Sequence, residues 1–440
     1  MNPAGRRGAC PTLPAPMATG DGLLARFSPL APLSRAQVAG LAAAARAHGN
    51  GIVQVTARGS LQVRGLDAPS APRFTKAVDA LGIVVRTGLG IEVGPLAGRD
   101  GAADPRPLAD AIARAAAPFA GLLAPKLAVV VDGGGALHLD ALPADIRLRA
   151  LGPSSDGLRA SRTAEGRAGI AESSPAPDPG SPFAAPAGMT RWRGEAETTA
   201  SQPISWQLSV ADTVFGAVPA EAVAELVARL LAALATKGPM ARASDHVAAL
   251  RAAVGPLPAD RRDARPLAEP VGRHALADGR FALGLAPAFG QTERLGDLAA
   301  LVGAGGLVAA PGRAFLLLGL DAAAADAAEI AAEALGFIVR ADDPRRRVVA
   351  CPGGPACASG RLPALALAAH LAPAVGAGLL HVSGCAKGCA HPGVAELTLV
   401  GLDGGAGLVL QGTARDAPAR IVPLDEAAGA ARRLLEELNG

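Results

Sequence analysis

Four cysteines in two short loops are the residues of this chain best suited to chemistry. Five residues separate Cys351 from Cys357, three separate Cys385 from Cys389, and 27 residues lie between the two pairs. Structural zinc sites usually present each cysteine pair with two to four intervening residues. The wider spacing favours a bulkier iron–sulfur cubane, each of whose four irons takes one thiolate. The sequence therefore predicts a [4Fe–4S] cluster, with a zinc site or four reduced structural thiols as the alternatives.

The composition of the two loops supports the cluster. The first loop reads Cys-Pro-Gly-Gly-Pro-Ala-Cys and the second Ser-Gly-Cys-Ala-Lys-Gly-Cys. Such small turn residues expose backbone N–H groups, which can donate to cluster sulfurs. Lys387 is a cation between two thiolates, so we expect it to neutralise the cluster, to contact an anionic substrate, or both.

Composition excludes several classes of protein. The 440 residues carry a net charge of only +3, and aromatic residues make up 2% with no tyrosine, so nucleic-acid binding is not expected. Five cysteines do not make a secreted disulfide framework, and thiolate ligands favour a reducing compartment, so we expect the cytoplasm. The fifth, Cys10, is interpreted as a free thiol. The most apolar stretch, Leu362–Val382, contains two prolines and a histidine and predicts a helix, a loop and a buried strand rather than a membrane span.

The chain contains an internal repeat. The heptapeptide Gly-Leu-Asp-Ala-Pro-Ser-Ala at Gly65 recurs as Gly-Leu-Asp-Ala-Ala-Ala-Ala at Gly319, 254 residues later. Slightly upstream, an offset of 255 residues places Arg58 on Arg313. A period of this length indicates duplication of half a protein rather than a solenoid.

Each copy has the pattern of a mixed α/β unit. In the first copy we predict a helix over Ser34–His48, strands over Gly51–Val55 and Leu61–Leu66, a helix over Ala71–Leu81 and a strand starting at Ile83–Val85. This order indicates an α+β sheet with helices on one face.

A longer unit follows each copy. The first contains predicted strands Leu127–Val131 and Ile204–Val210 and helix Ala220–Ala235, and in the second the strand Leu379–Val382 leads into Cys385. Within the first unit, Ser, Pro, Gly and Ala dominate residues 152–202, which predicts a mobile insertion. The predicted divisions are an N-terminal tail (1–18), half-domain 1 (19–85), α+β domain 1 (86–254), a linker (255–270), half-domain 2 (271–340) and the cluster-binding α+β domain 2 (341–440).

These elements together resemble the sulfite and nitrite reductase superfamily. In that superfamily, duplicated ferredoxin-like half-domains alternate with α+β domains that bind a cluster or substrate. The segment Thr56–Gln62 is similar to its T-x-R-x3-Q tetrapyrrole-contact motif, which Arg58 and Gln62 match. Pro125-Lys126 resembles the start of its basic P-x-K-x-K stretch. The resemblance implies the same duplicated α+β fold over nearly the whole chain.

The cysteine loops, Asp132-Gly-Gly-Gly135 and Asp145-Ile-Arg147-Leu-Arg149 look like those of the precorrin-3B synthase branch. This resemblance implies an iron–sulfur monooxygenase of aerobic cobalamin biosynthesis that converts precorrin-3A to precorrin-3B. It would hydroxylate a meso carbon with O2 and close a γ-lactone. A [4Fe–4S] cluster, a mononuclear non-haem iron and electrons from a separate NADH-dependent reductase are also implied.

Two departures from the reductases argue against reduction of a small anion. The second lysine of the basic stretch is Ala128, and residues 86–95 lack the central arginine of the reductase motif. The alternatives that stay open are a siroheme-dependent sulfite or nitrite reductase and a non-catalytic tetrapyrrole-binding iron–sulfur protein.

A precorrin carries many carboxylates, so its pocket needs cations and hydrogen-bond donors on rigid elements. Gln62 and Arg64 alternate on one strand and are expected to face one side. Ligands of a mononuclear iron would be histidine or carboxylate, and His381 and His391 flank the second cysteine pair. The candidate substrate-binding residues are Arg58, Gln62, Lys126, Arg313 and Lys387.

Overall fold

The first copy of the repeat forms a five-stranded sheet that takes one strand from the second copy. The computed structural model describes residues 11–151, 204–259 and 264–439. Cys10 and the predicted insertion at 152–202 lie outside them. The sheet order is β1-β2-β4-β3-β12. In chain order these strands are β1 (Met17–Thr19), β2 (Gly22–Phe27), β3 (Val53–Val55), β4 (Leu61–Leu66) and β12 (Gln291–Thr292).

The second copy forms a four-stranded sheet in the order β10-β11-β14-β13. Its strands are β10 (Gly272–Ala275), β11 (Phe281–Leu285), β13 (Leu307–Ala310) and β14 (Ala314–Leu320). Helices α1 (Arg35–His48) and α2 (Ser70–Ala80) belong to the first copy, and α6 (Leu295–Leu298) and α7 (Ala322–Ala334) to the second. Side chains from both sheets and from these helices share one core, so the two copies pack together through their helical faces.

Most of the elements predicted for the first copy are confirmed. Helix α1 begins at a capping box, in which the Ser34 Oγ accepts from the Gln37 N–H and the Gln37 Oε1 accepts from the Ser34 N–H. The predicted strand Ile83–Val85 is wrong, because only an isolated bridge joins Val85 to Pro29. Proline has no N–H to continue a ladder. The hairpin of β1 and β2 was not predicted.

The two remaining sheets have the same topology. Each has three parallel strands followed by two antiparallel ones, in the orders β5-β6-β7-β8-β9 and β15-β16-β17-β18-β19. The first contains β5 (Gly90–Val93), β6 (Ala128–Asp132), β7 (Ile146–Leu151), β8 (Ser205–Val210) and β9 (Thr213–Pro219). The second contains β15 (Val348–Ala350), β16 (Leu380–Ser383), β17 (Ala395–Leu402), β18 (Gly405–Gly412) and β19 (Arg420–Val422). The duplication therefore extends over both halves of the chain.

Helices cover these outer sheets and complete their cores. They are α3 (Arg106–Ala116), α4 (Ala220–Ala235) and α5 (Val247–Val254) in the first half, and α8 (Ala364–Leu371) and α9 (Ala427–Asn439) in the second. Helix α8, a loop and β16 confirm the interpretation of Leu362–Val382. In the part of the chain that the structure describes, no helix is long and apolar enough to cross a membrane.

The two halves are joined by backbone contacts at several points. Strand β12 pairs with β3, with Gln291 opposite Gln54. The backbones of Leu33 and Leu307 donate to each other at 2.8 Å. A Cβ at Gly59 would lie 2.8 Å from the Ala310 carbonyl carbon, and the φ of Gly59 is +83°, so this crossing of the two hairpin turns requires glycine.

Candidate functional site

The two cysteine loops leave the same edge of one sheet. Cys351 directly follows β15 and Cys385 follows β16, and these neighbouring strands are parallel with Ala350 opposite Val382. The carboxyl ends of parallel strands are where ligands commonly bind in such sheets. The Gly384 N–H donates to the Cys351 Sγ at 3.1 Å and thus joins the two loops. The fold therefore brings all four cysteines to one place.

The four thiols form a single electrostatic group. Burial raises the pKa of the Cys351 thiol, and Cys389 and Cys385 raise it further. Burial also raises the pKa of Cys389, with Cys385 and Cys357 adding to the effect. Thiolates at such a site are disfavoured without a cation, and a bound metal centre reverses that preference.

The spacing of the sulfurs favours a cluster over a single zinc ion. Tetrahedral zinc with Zn–S bonds of about 2.3 Å holds its sulfurs about 3.8 Å apart. Among the described residues, only Asp132, His138 and Asp140 have donor atoms that all lie within 4.8 Å of one another. No three of the thiols meet that limit, and a cubane needs them farther apart. The donor set fits an iron–sulfur cluster.

The unpredicted hairpin of β1 and β2 packs directly on the first cysteine loop. The Gly20 carbonyl accepts from the Ala358 N–H at 2.8 Å. A Cβ built at Gly20 would overlap the Cys357 Sγ and lie 3.3 Å from the Ser359 backbone nitrogen. Only glycine lets the hairpin approach the thiol this closely.

We expect Gly20→Ala to lower the iron and sulfide content of the purified protein by at least half, because Cys357 must move away from the position of a ligand. Iron and acid-labile sulfide analysis measures this effect. Gly404→Ala is the matched control, since nothing lies within 4 Å of a Cβ there. Equal cluster content in both variants would contradict the close approach of the hairpin.

A buried ion pair connects the hairpin to the sheet beside the cysteines. The Arg64 guanidinium donates to both carboxylate oxygens of Asp21, at 2.6 and 2.7 Å. Burial disfavours the Arg64 charge, but Asp21 and the thiols of Cys389 and Cys357 outweigh it and raise the Arg64 pKa. Arg64 therefore lies where it stabilises the thiolate form of the cysteine site.

Polar residues continue from Arg64 along one face of β4. Alternation puts Gln62 and Ser60 on the same face as Arg64, and Arg58 lies in the turn just before. The Ser60 hydroxyl accepts from the Ser28 hydroxyl at 3.0 Å, and Ser28 lines a large cavity. This polar stripe (Arg58, Ser60, Gln62, Arg64) connects the cysteine site with that cavity.

A second line of polar side chains crosses the same face at Gln62. The Arg26 Nε donates to the Gln62 Oε1 at 2.9 Å, and the Gln62 amide donates to Gln54 at 2.7 Å. Gln54 in turn donates to Gln291 at 3.0 Å. The buried Nε2 of Gln291 has no partner in the described residues. This cross-strand row spans four strands and ends in an unused donor.

This cavity, of about 560 Å³, lies at the far end of the polar stripe. Four arginines line it: Arg58, Arg86, Arg99 and Arg106. Two of them are paired, Arg86 with Glu92 at 2.8 Å and Arg106 with Asp104 at 2.7 Å. Within the described part of the chain, the Arg58 guanidinium donates only to the Pro143 carbonyl, at 2.6 Å. The excess of cations suits a ligand with several carboxylates.

The other predicted substrate residues occupy different places. Arg313 repeats the contact of Arg58, because its guanidinium donates to the Ala390 carbonyl at 3.1 Å. The Lys387 ammonium donates to the Ser359 Oγ at 2.9 Å and so bridges the two cysteine loops. Lys126 is exposed in the turn before β6 and does not line the cavity.

The rings of His381 and His391, which flank the second cysteine pair in the sequence, contact each other edge to face with their centroids 5.7 Å apart. His381 is fully buried, and neither of its ring nitrogens has a partner in the described residues. Burial, then His391 and Arg313, lower the pKa of His381 to about 4. Arg313 lies near this pair, and the described residues offer no third histidine, cysteine or carboxylate close to both rings. The two histidines therefore do not fit an iron site.

The His381 pKa predicts a pH dependence of stability. The unfolded chain takes up this proton near pH 6.5, whereas the folded chain does so only near pH 4. Stability should therefore fall on acidification through this window, at up to about 1.4 kcal/mol per pH unit. Chemical denaturation of the wild type and of His381→Leu at pH 7, 6 and 5 measures the effect. The variant should lose less stability than the wild type over this range, and parallel curves would contradict the assignment.

Among the described residues, the one close set of three possible metal ligands, Asp132, His138 and Asp140, already binds an arginine. The Arg265 guanidinium bridges the carboxylates of Asp132 and Asp140, and the His138 Nε2 contacts the Pro266 carbonyl at 2.7 Å. Burial would raise the pKa of Asp140, but Arg265 lowers it to about 2. The group fastens the segment around Arg265 to the end of β6 and does not fit a metal ion.

Sequence reasoning missed Gly20, Asp21 and Arg26, which all belong to the unpredicted hairpin. Gln54 and Gln291 were also missed, because only the register of strands from both halves places them in one row. Arg147, part of the segment that carries the precorrin-3B synthase resemblance, is buried and donates to the Leu139 carbonyl at 2.8 Å, so it supports a loop.

Comparisons with known proteins agree with this architecture. The family model of the nitrite/sulfite reductase ferredoxin-like half domain matches residues 16–81. A curated precorrin-3B synthase from Sinorhizobium sp is 37% identical over 437 residues, covering 94% of this chain and 84% of that protein. The solved structure of the Mycobacterium tuberculosis NirA protein superposes with a TM-score of 0.62 at 18% identity, over 94% of this chain and 80% of that one. The structural likeness confirms the duplicated α+β fold of sulfite and nitrite reductases.

Proposed function

Because this chain belongs to the precorrin-3B synthase family, we propose that it converts precorrin-3A to precorrin-3B in cobalamin biosynthesis. The observation that carries the proposal is the polar stripe (Arg58, Ser60, Gln62, Arg64), which connects the cysteine site with the arginine-lined cavity. A carboxylate-rich macrocycle on this face would have the four thiols at one end and cations at the other.

The proposed reaction is a monooxygenation. One oxygen atom of O2 enters a meso carbon of the macrocycle as a hydroxyl group. The other is reduced to water by two electrons and two protons. An acetate carboxyl group adds across a double bond of the macrocycle and so closes a γ-lactone without a further oxidant. We propose that the electrons come from NADH through a separate reductase. A reducing compartment such as the cytoplasm would keep the four thiols available.

We propose that Cys351, Cys357, Cys385 and Cys389 hold a [4Fe–4S] cluster, which supplies one-electron transfer when bound. Arg64 and Lys387 would offset the negative charge of such a centre, since both favour the thiolate of Cys389. The Gly384 N–H directed at the Cys351 Sγ is the kind of donor that tunes a cluster.

We propose that the remaining residues of the stripe and the row orient the substrate. Arg58 would bind a peripheral carboxylate in the cavity, and Gln62, held between Arg26 and Gln54, would present its amide to the macrocycle. Lys126, Arg313 and Lys387 remain proposed carboxylate partners at its edges. Neither histidine group described above fits a mononuclear iron, so no step of this proposal uses one.

The experiment that tests this function uses protein purified anaerobically and incubated with precorrin-3A, a reductase with NADH, and 18O2. We expect iron and acid-labile sulfide in equal amounts, no Soret band, and one 18O atom in the product. Copurified siroheme with sulfite or nitrite reduction would replace the proposal with a reductase. Stoichiometric zinc without sulfide would remove the cluster.

Arg58→Gln should raise KM for precorrin-3A about tenfold and change kcat little, because a charge-assisted bond made equally in ground and transition states is lost. Steady-state kinetics measure both constants. Arg273→Gln is the matched control, since it removes the same charge from an exposed pair with Glu329. If both variants raised KM equally, net charge rather than a specific contact would be responsible.

A further inference from the structure

A second cavity, of about 180 Å³, lies between the second copy of the repeat and the start of β15. Three arginines line it, Arg313, Arg345 and Arg346, together with apolar surface from residues such as Phe289 and Val348. Pockets for drug-sized ligands span about 300–1,000 Å³, and one water needs about 10–15 Å³ of probe volume. The cavity is therefore too small for a tetrapyrrole and large enough for a small anion.

The charges around this cavity are not balanced. Arg345 pairs with Asp343 at 2.6 Å and Arg346 with Glu269 at 2.7 Å. Arg313 has no carboxylate partner in the described residues, and its one hydrogen bond goes to the Ala390 carbonyl. Three guanidinium groups thus face two carboxylates, which leaves one positive charge without a counter-charge.

Two further observations concern the guanidinium groups of Arg346 and Arg313. The Arg346 Nε is buried and has no hydrogen-bond partner in the described part of the chain, although its two terminal nitrogens are used. Burial, and then the neighbouring Arg346, lower the pKa of Arg313. That is the direction expected for a buried cation without an anion. Burying such a charge without a partner is strongly unfavourable.

The backbone at the cavity is also held in an unfavourable conformation. Phe289 has φ +57° and Arg313 φ +61°, both in the left-handed region that non-glycine residues avoid. In this region the Cβ lies too close to the following carbonyl oxygen. Arg313 thus has both this backbone conformation and the guanidinium that lacks a counter-charge. Strain of this kind concentrates at sites that bind ligands.

We propose that this cavity binds one small oxyanion, a carboxylate or a phosphate, between Arg313 and Arg346. The anion would neutralise Arg313 and accept from the unused Arg346 Nε. The proposal does not depend on the reaction proposed above, because a free anion and a peripheral carboxylate of a larger ligand share this chemistry.

The test uses the full-length protein, purified anaerobically and dialysed into a buffer without phosphate or carboxylate. Inorganic phosphate and acetate are titrated separately by calorimetry. We expect saturable binding of at least one of them with one site per chain, weakened at least tenfold in Arg313→Gln and in Arg346→Gln. Arg347→Gln is the matched control, because its guanidinium bonds the Gly376 carbonyl and does not line the cavity.

Arg346→Lys distinguishes a loss of binding from a loss of folding, because it keeps the charge that pairs with Glu269 and removes the Nε. It should fold and bind more weakly than the wild type. Competition with precorrin-3A identifies the source of the anion: displacement would show a substrate carboxylate, and simultaneous binding a free anion. The absence of saturable binding of either probe, or equal binding in all variants, would overturn the proposal.

Discussion

Cys385→Ser is expected to remove the iron and sulfide from the protein and to lower turnover more than about a hundredfold. Loss of a residue beside a metal ligand already costs about ten- to a hundredfold. Cys385 would itself be a ligand, in a site whose other thiols are electrostatically linked to it. The serine hydroxyl is less acidic than a cysteine thiol, and its oxygen is a harder donor than a thiolate sulfur, so serine should not replace the ligand.

Visible absorption, iron and sulfide analysis, and turnover of precorrin-3A measure this effect together. Cys10→Ser is the control, because it removes the cysteine that belongs to neither loop. If Cys385→Ser kept a full cluster, the assignment of the four ligands would be wrong. If it lost the cluster and kept full turnover, the cysteines would hold iron without serving the reaction.

Asp21→Ala is expected to destabilise the protein by about 3–5 kcal/mol, the usual cost of removing one partner of a buried ion pair. The side chains of Arg64 and Asp21 are only 10% and 3% exposed. Removal of the carboxylate leaves the Arg64 charge buried. Asp403→Ala is the control, because its pair with Arg361 is exposed and should contribute less than about 1 kcal/mol.

The Asp21 effect should also depend on pH. Burial would raise the pKa of Asp21, but the hydrogen bonds and charge of Arg64 outweigh it, and the net pKa lies below 3.8. The stabilisation is therefore complete above the unfolded pKa and is lost as the pH falls through the lower folded value. Wild type and variant should converge in strong acid. Replacing both residues, as in Asp21→Ala with Arg64→Met, should recover part of the loss, and strict additivity would contradict a direct pair.

The sequence alone predicted the cysteine site, because two pairs of thiols in small-residue loops carry their chemistry in their spacing. It also predicted that Gln62 and Arg64 share a face, since alternation along a strand is local. Asp21 and Arg26 could not be placed in this way. Their roles depend on which strands become neighbours, and the first hairpin had no strong strand pattern. The domain boundaries remain predictions.

One signal in the sequence could have identified the face of β4 that carries the polar stripe. The offset of 254 residues places Leu316 and Leu318 where the first copy has Gln62 and Arg64. In the structure these leucines are 0% and 1% exposed and pack against Leu96 and Leu137 of the first half. One copy of the sheet thus uses this face for packing, and the other keeps it polar, as the proposed substrate site requires.

Strand β12 has a consequence for how the chain is synthesised. The sheet formed by the first copy lacks its edge strand until Gln291 and Thr292 leave the ribosome, more than 230 residues after β3. At about 5–20 residues per second, that interval lasts roughly 10–50 seconds. Throughout it, β3 presents unpaired backbone groups that invite pairing with other chains. An N-terminal fragment ending before Gln291 should therefore aggregate in the cell, and chaperones should be needed most during this interval of translation.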